Sequence, residues 1–131
     1  MSASRVLVVE DDDDTRLLLR TILEEEGFRV QTAEDGVRAL EILKLQPCPA
    51  LLLLDLMLPR MDGWALVERV RGIPLLAGMP IVAMSALRGR AIPRTEGFLK
   101  KPFSLGDVIE QVSRFARPSG RVPGLSRALE R

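Results

Sequence analysis

Hydrophobic positions along the chain follow two alternating rhythms. Arg5-Val6-Leu7-Val8-Val9 is a short, nearly unbroken apolar run, which predicts a strand. Thr15 to Glu26 repeats instead at helical spacing: Leu18, Ile22 and Glu26 share one face, Leu19 and Leu23 widen it, and Gly27 is placed to close the helix. The same pair recurs as Phe28 to Thr32 then Asp35 to Leu45, and as Ala50 to Leu54 then Gly63 to Arg71. Pro80 to Met84 is followed by a segment without a clear period, and Gly97 to Lys100 by Ser104 to Phe115. In that last helix Leu105, Val108, Ile109, Val112 and Phe115 form the apolar stripe. Runs such as Leu51 to Leu54 carry no polar face, so both sides of those strands must be covered, and helical crossovers between parallel strands supply the cover. The pattern predicts a five-stranded α/β sandwich, with no internal sequence repeat.

Size and charge narrow the picture. A chain of 131 residues, 47% hydrophobic, supports one ordinary core and one domain, expected over residues 1–116. Residues 117–131 read as a flexible tail, because Pro118, Gly120, Pro123 and Gly124 punctuate them. The net charge of +1 conceals an asymmetry: the tail carries Arg117, Arg121, Arg127 and Arg131 against Glu130. Four arginines without aromatic interleaving or a recognition helix make a poor nucleic-acid surface, so no nucleic-acid partner is expected. No apolar stretch is long enough to span a bilayer and no leader is read at the N-terminus, so no membrane association is expected. Cys48 is the single cysteine, which excludes a disulfide framework and fits a reducing, cytoplasmic compartment. With no histidine in the chain, a thiol–histidine nucleophile is also excluded.

The polar residues that break the apolar pattern collect at one end of the predicted sheet. Glu10 and Asp11 leave strand 1, Asp55 leaves strand 3, Ser85 ends strand 4 and Lys101 follows strand 5. In open parallel sheets ligands bind outside the carboxyl ends of the strands. If strand 1 neighbours strand 3, in the order 2-1-3-4-5, the three carboxylates converge and repel one another unless a positive charge joins them. A hard divalent cation with oxygen ligands, Mg²⁺, matches that donor set. Asp12 to Asp14 are expected to begin helix 1, where acidic side chains favour the exposed N–H groups. Asp55 interrupts LLLLDLMLP, where a carboxylate is costly without a partner. A carboxylate so placed can accept a phosphoryl group, with Ser85 and Lys101 binding the phosphoryl oxygens.

VLVVEDDDDTR, LLLLDLMLPRMDG, PIVAMSA and GFLKKPF, taken in this order, resemble the receiver domain of bacterial two-component response regulators over residues 5 to about 116. The resemblance implies a flavodoxin-like (βα)5 fold and a signalling module that is not an enzyme in the ordinary sense, although it assists its own phosphorylation and dephosphorylation. It implies that Asp55 is the phosphoacceptor. Glu10, Asp11, Asp55 and the backbone carbonyl of Met57 would hold Mg²⁺, Lys101 would be the lysine preceding an often cis proline, and Ser85 and Phe98 would be the switch pair. The implied partners are a histidine kinase or phosphotransfer protein upstream and an unidentified protein target downstream.

Two features depart from the family. Glu10 stands where aspartate is common, which leaves the acidic pair intact. The segment between Ser85 and Lys101 is shorter than usual, and Gly89 and Pro93 oppose a full helix within it, so the fourth helix is expected to be shortened or replaced by a loop. Arg88, Arg90 and Arg94 would repel across a two-fold contact there, and a monomer is expected. The alternatives are a phosphorylation-independent pseudo-receiver and a metal-dependent phosphatase; the latter class places a second aspartate two positions beyond the nucleophile, where Met57 stands here.

Overall fold

A computed structural model of the chain describes residues 4–86 and 93–117. Its strands are β1 (Arg5–Val9), β2 (Arg29–Ala33), β3 (Leu51–Asp55), β4 (Ile81–Ser85) and β5 (Gly97–Lys100), and its helices are α1 (Asp13–Glu25), α2 (Gly36–Leu45), α3 (Gly63–Arg71) and α4 (Leu105–Phe115). The five strands form one parallel sheet in the order β2-β1-β3-β4-β5, as the flavodoxin-like pattern predicts. Because all pairs are parallel, the carboxyl ends of β1, β3, β4 and β5 share one edge. The register places Val9 beside Leu54, Asp55 beside Met84 and Ser85 beside Lys100 at that edge.

Strand alternation divides the interior into two cores. Leu7, Val9, Leu52, Leu54, Ile81 and Ala83 pack with Ala39, Leu40 and Leu43 of α2 and with Leu66, Val67 and Val70 of α3. Val6, Val8, Leu51, Leu53, Val82, Met84 and Leu99 pack with Leu19, Ile22 and Leu23 of α1 and Val108 and Val112 of α4. Continuous apolar runs in the central strands reflect these two covered faces. Each helix begins on a polar side chain that satisfies an otherwise orphaned amide. Asp12 accepts from the Thr15 amide at 2.8 Å and its hydroxyl at 2.6 Å, Asp35 from Arg38 N–H at 2.8 Å, Asp62 from Ala65 N–H at 2.9 Å, and Ser104 shares a capping box with Asp107. Gly27, with φ 98°, follows the Glu26 C-cap of α1 in the left-handed conformation that favours glycine.

Two details correct the expected helical stripes. Leu18 is 46% exposed, and the buried face of α1 is Leu19, Ile22 and Leu23. In α4 the stripe is deep only at Val108 and Val112, while Leu105, in the first turn, is 39% exposed. Periodicity assigns a side of the helix but not the point where the sheet beneath it ends. The expected short fourth helix, and the argument for a monomer built on it, fall largely on residues 87–92, outside the described residues. The expected tail falls there also, apart from Arg117. Residues 93–96, which are described, form no helix.

Burial predicts a sharp contrast between two leucines. Leu53→Ala removes a fully buried side chain from the α1/α4 core and should cost about 2–5 kcal/mol in chemical denaturation. Leu75, 88% exposed, should tolerate alanine to within about 0.5 kcal/mol.

Candidate functional site

The carboxyl edge of the sheet assembles the site from four loops. Glu10 extends the alternating series of Val6 and Val8, Asp55 that of Leu51 and Leu53, and Lys101 follows Leu99 in the same phase, so the three point to one side. Lys101 Nζ donates to Asp55 Oδ2 at 2.9 Å and to Glu10 Oε1 at 3.2 Å. Glu10 and Asp55 are buried, whereas Asp11 is exposed at the rim. One carboxylate oxygen from each of Glu10, Asp11 and Asp55 lies within 4.8 Å of the others. The amide of Met57 donates to Asp55 Oδ1 at 2.8 Å, so both oxygens of Asp55 have fixed partners.

Three carboxylates face a single ammonium in this cluster. Burial first, and then the negative charge of Asp55, push the Glu10 carboxyl up from 4.5 to about 7; the Asp12 amide, at 3.2 Å, and Lys101 oppose that rise only in part. For Lys101, burial disfavours the charged form, but the hydrogen bond and charge of Asp55, followed by those of Glu10, outweigh it and hold the pKa above its ordinary value. The cluster therefore lacks positive charge. All its candidate ligand atoms are oxygens, and a hard divalent cation would supply the missing charge. The residues present fit Mg²⁺.

The remaining expected residues surround this centre. Ser85, buried at the end of β4, is one strand over from Asp55, and the Lys101 amide donates to its carbonyl at 2.9 Å. The Lys101–Pro102 peptide bond is cis. Phe98 is half-buried against the α2/α3 core, on β5 beside Ala83. The Met57 side chain is 50% exposed, and its amide is the group of that residue engaged with Asp55.

Sequence reading overlooked two arginines bonded to the site's loops. Arg16, in the first turn of α1, donates to the carbonyl of Glu10 at 2.9 Å and also pairs with Asp13. Arg60, beyond Asp55, pairs with the buried carboxylate of Asp35 at the start of α2. Arg16 carries a local signal in its place one turn beyond acidic residues, whereas no local sequence signal connects Arg60 to Asp35.

An open parallel sheet with an acidic, lysine-bridged cleft at its carboxyl edge defines the class of this protein. The chain belongs to the response regulator receiver domain family, whose model matches residues 6–113. It is 33% identical over 126 residues to the DNA-binding dual master transcriptional regulator RpaA of Synechocystis, covering 91% of this chain and 52% of that protein. It is 38% identical to an uncharacterized 14.6 kDa protein of Leptolyngbya boryana, covering 84% of this chain and 88% of the relative. The chain thus spans about half the length of RpaA and nearly all of the smaller relative. Among solved structures, the receiver domain of the sensor histidine kinase PA1611 from Pseudomonas aeruginosa, with magnesium coordinated in its active-site cleft, aligns with a TM-score of 0.79 at 25% identity, covering 87% of this chain and 98% of that one. The receiver domain of a signal transduction histidine kinase from Syntrophus aciditrophicus aligns equally well, with a TM-score of 0.79 at 28% identity, 92% of this chain and 95% of that one.

Glu10 also predicts an unusual pH dependence. Its folded pKa lies above the unfolded value, so the native state holds an extra proton between these values, and stability present below about pH 4.5 is lost as pH rises through about 7. Asp12 and Asp35 are shifted below 3.8 and Lys101 above 10.5, so all three titrate outside this window, and the chain has no histidine. Denaturation of the metal-free protein should show a loss of at most about 3 kcal/mol across the window. Glu10→Gln should flatten the profile, and an unaltered slope in that variant would assign the effect elsewhere.

Proposed function

We propose that this receiver domain accepts a phosphoryl group on Asp55 from the phosphohistidine of a partner kinase or phosphotransfer protein, and that the resulting acyl phosphate switches a protein-interaction surface. The observation that carries this reading is the Lys101 ammonium, 2.9 Å from Asp55 Oδ2, within a carboxylate cluster at the end of the central strand. With Oδ1 held by the Met57 amide, Oδ2, which carries the Lys101 contact, is taken as the attacking oxygen. As the new O–P bond forms, the P–N bond to the donor imidazole breaks and the imidazole departs with its electron pair. Lys101 then exchanges its carboxylate contact for a phosphoryl oxygen, which keeps a positive charge against the growing negative one. The Ser85 hydroxyl supplies a further donor to the phosphoryl group from β4. Attack by water on the acyl phosphate returns the carboxylate and releases inorganic phosphate.

Glu10, Asp11, Asp55 and the Met57 carbonyl are the groups that would hold Mg²⁺, which when bound supplies charge neutralisation for the incoming phosphoryl oxygens. Arg16 orients the Glu10 backbone at the rim of the cleft. Downstream, the added charge draws the Ser85 hydroxyl toward the phosphoryl group, and Phe98, on the adjacent strand, repacks behind it. The output is a contact with another protein.

Incubation with Mg²⁺ and a small phosphodonor, read by intact-mass spectrometry, tests the acceptor. The wild type should gain one phosphoryl mass and Asp55→Asn none; an adduct that persists undiminished in the variant would remove Asp55 from this role. A wild type that binds Mg²⁺ yet never gains the mass would favour a phosphorylation-independent interaction module.

The metal ligands can be separated from the rest of the acidic run. Asp11→Asn should weaken Mg²⁺ binding by roughly tenfold or more, since a direct ligand is lost, while Asp13→Asn, which alters only the surface pair with Arg16, should change it less than about threefold. Titration calorimetry gives the comparison, and equal losses would mean that the run acts as a diffuse field.

A further inference from the structure

The loop that carries Met57 away from Asp55 is tied to the start of α2 by an unusual set of contacts. Arg60 has φ 63°, the only positive φ of a non-glycine residue among those described, and the Met61 amide donates to the Pro59 carbonyl at 2.7 Å, which makes a tight turn centred on Arg60. A side chain in this region is sterically disfavoured and persists only where the surroundings compensate. The compensation is visible. The Arg60 guanidinium pairs with Asp35, whose side chain is 1% exposed although Arg60 itself is 67% exposed. Asp35 uses one oxygen to cap α2 through Arg38 N–H and the other to hold Arg60. One residue further along on each side, the backbones meet: a Cβ built on Gly36 would lie 2.1 Å from the Met61 carbonyl oxygen. At the loop's far end the Gly63 amide donates to the Leu56 carbonyl at 3.0 Å, and Gly63 packs against the Leu56 backbone. The six-residue span between these anchors includes Met57, whose amide holds Asp55.

We propose that Arg60 is a positioning residue: its pairing with buried Asp35 fixes the β3–α3 loop so that the Met57 backbone meets Asp55 and the proposed metal site in a single geometry. The strained turn brings the Arg60 guanidinium, still largely exposed, to the start of α2, and the cap residue of α2 thereby reports to the phosphoacceptor loop. A residue that merely stabilised the fold would make the protein less stable when removed. Here glycine at position 60 relieves the unfavourable φ while deleting the tether, so stability and loop order should part company.

The readout is amide hydrogen exchange at Met57 in the metal-free protein, which does not depend on whether Asp55 accepts a phosphoryl group. In Arg60→Gly the Met57 amide should exchange about fivefold faster, the scale expected for losing a half-exposed ion pair, while the denaturation midpoint and the exchange of Leu53 stay near the wild-type values. Asp35→Asn, which keeps a capping side chain but loses the charge, should act in the same direction, and the double variant should add little to either single one. Arg60→Lys should recover part of the protection. The metal arm alone rests on the proposed function: Mg²⁺ affinity should fall by a similar factor in both single variants, again by the scale of one half-exposed ion pair. Wild-type protein that fails to bind Mg²⁺ would count against that function and leave the exchange result standing. Unchanged Met57 exchange in both variants, or an acceleration matched at Leu53, would overturn the positioning role.

Discussion

Burying carboxylates at the end of an apolar sheet is the constraint on which this molecule is organised. Glu10 and Asp55 are each almost inaccessible, at 1% and 3% exposure, and they face the same point. Two ionised groups so placed could not coexist without compensation. Lys101 reaches both, but it only partly offsets the burial and, after it, the Asp55 charge that together raise the pKa of Glu10. The site is therefore short of positive charge, and its convergent carboxylates fit a divalent cation. The fold itself brings the carboxylates together, so a cation would meet its ligands already convergent.

The parallel sheet makes that convergence possible. Every strand delivers its last residue to one edge, and helices on both faces force the return connections to the other, so groups distant in sequence meet without any long-range motif. Lys101 is 91 positions from Glu10 and 46 from Asp55. The two cores hold the strands in register from either side, and the helix caps Asp12, Asp35 and Asp62 start α1, α2 and α3 immediately after the loops that bear or flank the cleft. Rigid elements thus end within a few residues of each functional group, and the loops between them are short.

Much of this was legible in the residues because the relevant signals are local. Consecutive apolar positions in Leu51–Leu54 demand two covered faces, and the interruption by Asp55 is visible against them. Glu10 and Asp11 follow directly on β1, and Asp12 occupies a position where a cap was expected. What could not be read were side-chain directions over distance. The stripe that included Leu18 and Leu105 ignored where the sheet beneath each helix ends, and both side chains emerge to solvent. Lys101 was expected beside Asp55, but its simultaneous bond to Glu10 depends on the parallel register of β1, β3 and β5 around it.

Arg60 shows the same limit most clearly. Nothing in the sequence near it announces a left-handed residue, since arginine has no preference for that region, and its partner lies 25 positions earlier at the cap of another helix. The pairing exists because β2 and β3 flank β1, which brings the loops after β2 and β3 to the same edge, and because Gly36 admits the Met61 carbonyl where any side chain would exclude it. A strained backbone in a loop next to buried carboxylates is thereby held by a third buried carboxylate. The electrostatics of the cleft and the geometry of its loop are consequences of the same strand order.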